Sequence, residues 1–91
     1  MTDLAVTPIG EAVWRERVRV HGRIRSVRVR PWGDNPTLEI TVVDETGGLT
    51  AVFLARRKLG GIRPGATITV EGVVGAHHGT FAILNPIYDL S

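Results

Sequence analysis

Arginine is the residue type best placed to do chemistry in this chain. Arg15, Arg17, Arg19, Arg23, Arg25, Arg28 and Arg30 fall in one stretch, residues 15–30, that holds a single acid, Glu16. That is a local excess of six positive charges in a chain whose net charge is +2, so the remaining residues sum to −4. A guanidinium presents a planar fork of N–H donors that binds phosphate oxygens two at a time and stacks on flat bases. Charge focused in this way is the footprint of a site for a polyanion. Ten of the eleven basic residues are arginine, a bias that a GC-rich genome explains, but genome composition does not explain the clustering. The competing reading is ordinary neutralisation: Glu16, Glu39 and Glu71 could pair with some of the arginines across a sheet as surface salt bridges.

Four further groups invite the same question. Trp32 sits in "RPWGDNP" (30–36), where an exposed indole would stack on an unpaired base, worth about 1–3 kcal/mol, or would fold back to seal a small core. Phe53 depends on register: with Leu49 and Ala51 it faces inward as a core residue, whereas inward Val52 and Leu54 would leave it outside as a stacking platform. Arg56, Arg57 and Lys58 form a second basic cluster that extends the first if the end of their strand lies near it. His77 and His78 are adjacent, so on a strand they point to opposite faces; they suit phosphate contact or stacking in a turn, and no metal site is expected of them.

Catalysis by these residues is not expected. The only serines are Ser26 and Ser91, no nucleophile elbow or phosphate-cradling glycine loop is present, and no histidine–carboxylate spacing suits a metal hydrolase. Asp44 and Glu45 fall in a turn, where aspartate serves backbone geometry. No cofactor is called for.

The elements that must position these groups read as short strands. "VRVHGRI" alternates with Val18, Val20 and Ile24 inward, then the phase slips by one around Ser26 so that Val27 and Val29 take over. Such a slip next to Gly22 predicts a bulged, bent strand serving two parts of a closed sheet. "RPWGDNP" reads as a loop. "TLEITVVD" (37–44) and "LTAVFLAR" (49–56) form strands around a tight "DETGG" turn with a glycine available for positive φ. "RKLGGIRPGA" (57–66) leaves room for at most one helical turn. "TITVEGVVG" (67–75) and "TFAILNPIYDL" (80–90), the latter interrupted near Pro86, flank the turn "AHHG". Five strands in meander order close most economically as a small barrel. Residues 1–15 read as an arm or a short helix from Pro8 to Trp14, and residues 16–91 as one domain. A chain of 91 residues buries only about 60–65% of its unfolded surface, and without cysteine the core must hold it unaided.

Taken together, "VxVxGxI", "VVDETGGLTAVFL", the "PG" turn, "TVEG" and "NPIY" resemble an OB-fold domain over roughly residues 16–90. They look most similar to the wedge OB modules of branch-migration helicases and to small single-domain OB proteins of actinobacteria. The resemblance implies an all-β, five-stranded barrel with little or no helix between strands three and four. It also implies a ligand surface on strands two and three between the loops "RPWGDNP" and "AHHG". The expected function is non-catalytic binding of nucleic acid, DNA or RNA and most naturally single-stranded. Arg19, Arg23, Arg25, Arg28, Arg30, Trp32, Phe53, Arg56, Arg57, Lys58, His77 and His78 are the candidate contacts. The alternative is a protein-interaction module that self-associates or docks on a larger enzyme. No membrane segment or export leader is evident, so a cytoplasmic setting is expected.

Overall fold

The structure, a computed structural model, describes residues 4–91, with Trp32 described by its backbone alone. Six strands run in chain order: β1 (Arg17–Trp32), β2 (Asn35–Asp44), β3 (Gly47–Leu54), β4 (Thr67–His77), β5 (Thr80–Leu84) and β6 (Ile87–Leu90). β1 pairs with β2, β2 with β3, β3 with β5, β5 with β4, and β4 with β1 again, so five strands close into a ring. This is an all-β OB-fold barrel. The meander order expected from sequence is corrected at one point. β3 is followed in the sheet by β5, which lies parallel to it, because the 55–66 segment carries the chain across the barrel end before β4 begins.

Closure depends on β1. Its first half, Arg17 to Arg23, pairs with Thr67 to Val73 of β4, and its second half, from Arg23 to Trp32, pairs with β2. Between them the register slips, Ile24 facing Val42 and Ser26 facing Thr41, which leaves Arg25 as the extra residue of a bulge. The glycine beside the bulge is required by close approach: a Cβ on Gly22 would lie 2.4 Å from the Val43 carbonyl oxygen. Inward residues beyond the bulge differ from expectation. Val27 is half-buried, but Val29 is 48% exposed, because there the β1–β2 ribbon runs past the end of the core.

The segment "RPWGDNP" is that ribbon's tip. Pro31 faces Pro36 and Trp32 faces Asn35, with only Gly33 and Asp34 in the turn and Gly33 at φ +60°. A two-residue turn makes Trp32–Asn35 the hydrogen-bonded closing pair, so the next pair is one that needs no N–H donor. Two prolines can therefore face each other without leaving a gap in the ladder, which is why a proline-rich stretch remains strand.

The core consists of the inward residues Val18, Val20, Ile24, Leu38, Ile40, Val42, Leu49, Ala51, Phe53, Ile68, Val70, Val74 and Ile83, joined by Ile9 from the N-terminal arm. Phe53 is 5% exposed and lies opposite Leu38; its ring meets Tyr88 edge-on at 5.4 Å between centroids. Among the described residues no helix forms between β3 and β4. Leu59 and Ile62 from that segment, with Leu90, pack on the core in the place a helix would take. Strand five breaks where proline predicts: β5 and β6 both pair with β4, their register differs by one residue, and Asn85 between them has φ +47°. Asn85 turns this break into a tie, its amide donating to Val52 O (2.6 Å) and its Oδ1 accepting from Leu54 N (2.9 Å).

The β2–β3 turn is held by a side chain. Among the described residues neither Gly47 nor Gly48 has positive φ. Instead Asp44 Oδ1 accepts from Thr46 N (2.7 Å), Thr46 Oγ1 (2.6 Å) and Gly47 N (3.1 Å), while Oδ2 accepts from Ile9 N (2.9 Å). That last bond docks the single 3₁₀ turn Ile9–Glu11 and thereby places Ile9 in the core. Burial pushes the Asp44 carboxyl up, but the hydrogen bonds from Ile9, Thr46 and Gly47 outweigh it and hold the group below its ordinary value.

A group whose folded pKa is lowered adds stability above its unfolded pKa, about 3.9, and loses it as the pH falls through the folded value. Asp44→Asn is therefore expected to cost about 1 kcal/mol in urea unfolding at neutral pH. Its deficit against wild type should shrink below about pH 4. Gly22→Ala, which drives a methyl into backbone, should cost about 1–3 kcal/mol in the same measurement.

Candidate nucleic-acid interface

Because strand side chains alternate, Ser26, Arg28 and Arg30 of β1 share an outer face with Thr41, Glu39 and Thr37 of β2 and with Thr50, Val52 and Leu54 of β3. This face is bounded on one side by the β1–β2 ribbon and on the other by the β4–β5 turn. Two adjoining hollows of about 210 and 240 Å³ lie between them, and Arg30, Glu39, His77 and His78 line both. The first opens toward Ser26, Arg28, Thr41, Thr50 and Thr80, and the second runs under Pro31 and Thr37. They form one cleft with hydroxyl and guanidinium walls, suited to phosphate and sugar oxygens.

The charge balance inside it is uneven. Glu39 is the acid at its centre: His77 Nε2 lies 2.9 Å and His78 Nε2 4.0 Å from Oε2, and Arg30 Nε lies 3.3 Å from Oε1. The Arg30 contact is an ion pair without hydrogen-bond alignment, since Arg30 Nε is buried and makes no hydrogen bond among the described residues. Thr37 Oγ1, in a side chain only 2% exposed, is likewise without a partner there. Arg28 faces Glu39 across the ladder, yet no acidic group lies within 4.0 Å of it among the described residues. It is the exposed, unneutralised cation of the cleft.

The two histidines depart from the expectation of opposite faces. His78 has φ +51° and Gly79 φ +80°, as both central residues of a type I′ turn require. Leaving the strand at His78 redirects its side chain, and the two rings stand 4.2 Å apart over the same carboxylate.

The other candidates are dispersed. Arg19 and Arg23 belong to the β4-paired half of β1, facing Glu71 and Thr67, in a different sector of the barrel from Arg28 and Arg30. Arg19 Nη1 donates to Leu4 O at 3.1 Å, and the arm runs beside it through Thr7 N to Arg19 O at 2.8 Å. Arg23 lines a separate groove with Pro8, Val43 and Asp44. Arg25 is exposed at the bulge, and Arg56, Arg57 and Lys58 are exposed beyond β3. Of these three, Arg57 borders the β1–β2 ribbon beside Val29, Pro31 and Asn35. Phe53 faces the core and is out of reach of a ligand on the outer face. The Trp32 side chain lies outside the described residues.

The single row of arginines expected along one flank is therefore split in two, because β1 changes partner at its bulge. The salt-bridge reading holds for part of it. Arg17 donates through Nε (3.0 Å) and Nη2 (2.9 Å) to Glu71, a carboxylate with no exposed surface, and Arg30 contacts Glu39. Sequence reasoning also missed residues. Thr37, Thr41 and Thr50 line the cleft, and their outward alternation in "TLEIT" and "LTAVF" was a usable signal. Phe81, 45% exposed on the β4–β5 hairpin, was hidden by its place in a run of strand residues.

No protein-family model matches the chain, and no curated protein matches it either. The solved structures do include a likeness: a replication factor A related protein from Methanobacterium thermoautotrophicum, determined by solution NMR. It superposes with a TM-score of 0.68 at 19% sequence identity, over 96% of this chain and 91% of that one. The likeness extends over the whole barrel and establishes a shared fold.

Arg17 and Arg28, both exposed arginines of β1, should behave oppositely on truncation. Arg17→Ala leaves a buried carboxylate short of its fork and is expected to cost about 1.5–3 kcal/mol in thermal or urea unfolding. Arg28→Ala should stay within about 0.5 kcal/mol of wild type.

Proposed function

We propose that this protein is a non-catalytic binder of nucleic acid, single-stranded DNA or RNA, with low sequence preference, held across the outer face of β2 and β3. The observation that carries the reading is the cleft itself: a floor of hydroxyls, Arg28 exposed and unneutralised, and a wall of paired histidines, between the two loops where this fold binds its ligands. The shared fold with a replication factor A related protein supports it, since replication works on nucleic acid. Arg28 and Arg30 would contact phosphates within the cleft, with Arg25 and Arg57 at its margins. Trp32, whose backbone closes the ribbon at the cleft edge, would stack on a base. Arg19 and Arg23, on the other sector, would add only diffuse attraction, and Arg56 and Lys58 would steer the approaching strand. A cytoplasmic setting is proposed with this function; no helix among the described residues is long and apolar enough to cross a membrane.

Fluorescence anisotropy with a labelled single-stranded oligonucleotide tests the reading. Engagement of three to five phosphates should give a slope of log affinity on log salt of about −2 to −3.5. Arg28→Ala should make that slope shallower by about 0.7, whereas Arg23→Ala should leave it unchanged. Trp32→Ala should lower affinity about tenfold at constant slope, because stacking releases no counterions. Affinity indifferent to salt, or no binding, would reject the proposal. Self-association on size exclusion without oligonucleotide binding would favour an assembly module instead.

A further inference from the structure

The cleft contains an arrangement that nucleic-acid binding does not itself demand. A site for a polyanion gains nothing from a carboxylate at its centre, yet Glu39 sits there, only 12% exposed, with two imidazoles turned onto it. One ring nitrogen from each histidine and one carboxylate oxygen all lie within 4.8 Å of one another. Donors bound to a tetrahedral zinc ion at about 2.0–2.2 Å stand about 3.3–3.6 Å apart. The separations from Glu39 Oε2, 2.9 Å to His77 and 4.0 Å to His78, bracket that spacing, so a small rotation of side chains on an exposed turn would centre an ion.

From this geometry we infer that Glu39, His77 and His78 form a binding site for a divalent transition-metal ion of the zinc class, with its open position facing the cleft. Two imidazoles and a carboxylate are donors that suit zinc, and three protein ligands leave a position for a further oxygen. The surroundings fit that assignment on two independent grounds. Arg30 lies against Oε1 of Glu39, leaving Oε2 toward the histidines, which is the role of an outer partner that orients a ligand. Thr37 Oγ1, buried and without a hydrogen-bond partner among the described residues, lines the same hollow as all three donors and can bond an oxygen bound there. The ion would also change the sign of the cleft's centre. A divalent cation adds two positive charges at that point, and its open position could take a phosphate oxygen.

The chain is favourable for testing this, because it has no cysteine and only one other histidine, His21, whose Nδ1 bonds Thr69 Oγ1 at 2.9 Å on the β1–β4 face. Full-length protein stripped with EDTA and dialysed is titrated with Zn²⁺ against a chromophoric chelator at neutral pH, with no oligonucleotide present. One ion per chain is expected. His77→Ala, His78→Ala and Glu39→Gln should each weaken uptake about tenfold or more, and His21→Ala should leave it unchanged. Zn²⁺ should raise the melting temperature of wild type and not that of His77→Ala, both compared with their EDTA-treated forms, which also shows that each variant is folded. Absence of stoichiometric uptake, or uptake that persists in His77→Ala and Glu39→Gln, would overturn the assignment. Because the titration uses metal alone, failure of oligonucleotide binding would leave its result intact.

Discussion

A closed five-strand ring this small requires one strand to reach both of its neighbours, and here β1 does so by changing partner halfway along. The change is possible only where the backbone can bend sharply and approach Val43 closely, which is the work of the bulge at Arg25 and the missing side chain of Gly22. Every later feature inherits that geometry. The inward residues before the bulge fill the barrel, the outward residues after it floor the cleft, and the ribbon beyond Val29 forms one of the cleft's walls. A strand that kept one phase throughout would turn Arg28 and Arg30 to the inward face of Val18, Val20 and Ile24, opposite Arg19 and Arg23.

Glu39 organises the opposite wall. Across the β1–β2 ladder it opposes Arg28, on one carboxylate oxygen it meets Arg30, and on the other it faces both histidines. The β4–β5 turn is thereby held over the face of β2 and β3 rather than left to move in solvent. The left-handed backbone of His78 and Gly79 makes this possible by delivering neighbouring side chains to the same place. One acid among many arginines thus sets where the turn rests, and so how wide the cleft is.

The N-terminal arm has a parallel role at the other sector. Asp44 ties its 3₁₀ turn to the β2–β3 hairpin, Ile9 enters the core, and the arm's backbone covers the edge of β1 that β2 has not yet reached. On the same sector Glu71 is fully buried behind Arg17. There Arg17 braces Glu71 and Arg19 bonds the arm at Leu4, so a cluster continuous in sequence divides between two sectors of the barrel.

Period-two alternation, the phase slip near Ser26, the proline in "NPIY" and the glycine-rich 57–66 segment are local properties, so the strands, the bulge and the absence of a long helix were legible in the chain. The focusing of arginine was legible for the same reason. What local pattern cannot carry is which strand lies beside which: the parallel β3–β5 contact follows from ring closure, and the exposure of Val29 from where the core ends. The site divides along the same line. Residue types and their chemistry belonged to the sequence, but the choice between a paired and a free arginine depended on which acid the fold brings near, as Glu71 comes to Arg17 from 54 positions along the chain. The meeting of Glu39 with two adjacent histidines needed the positive φ that the two-residue turn imposes on His78, and also a barrel that brings this turn over β2. Electrostatic partnership acts over a few ångströms in space regardless of separation along the chain, and for that reason tertiary structure alone decided it.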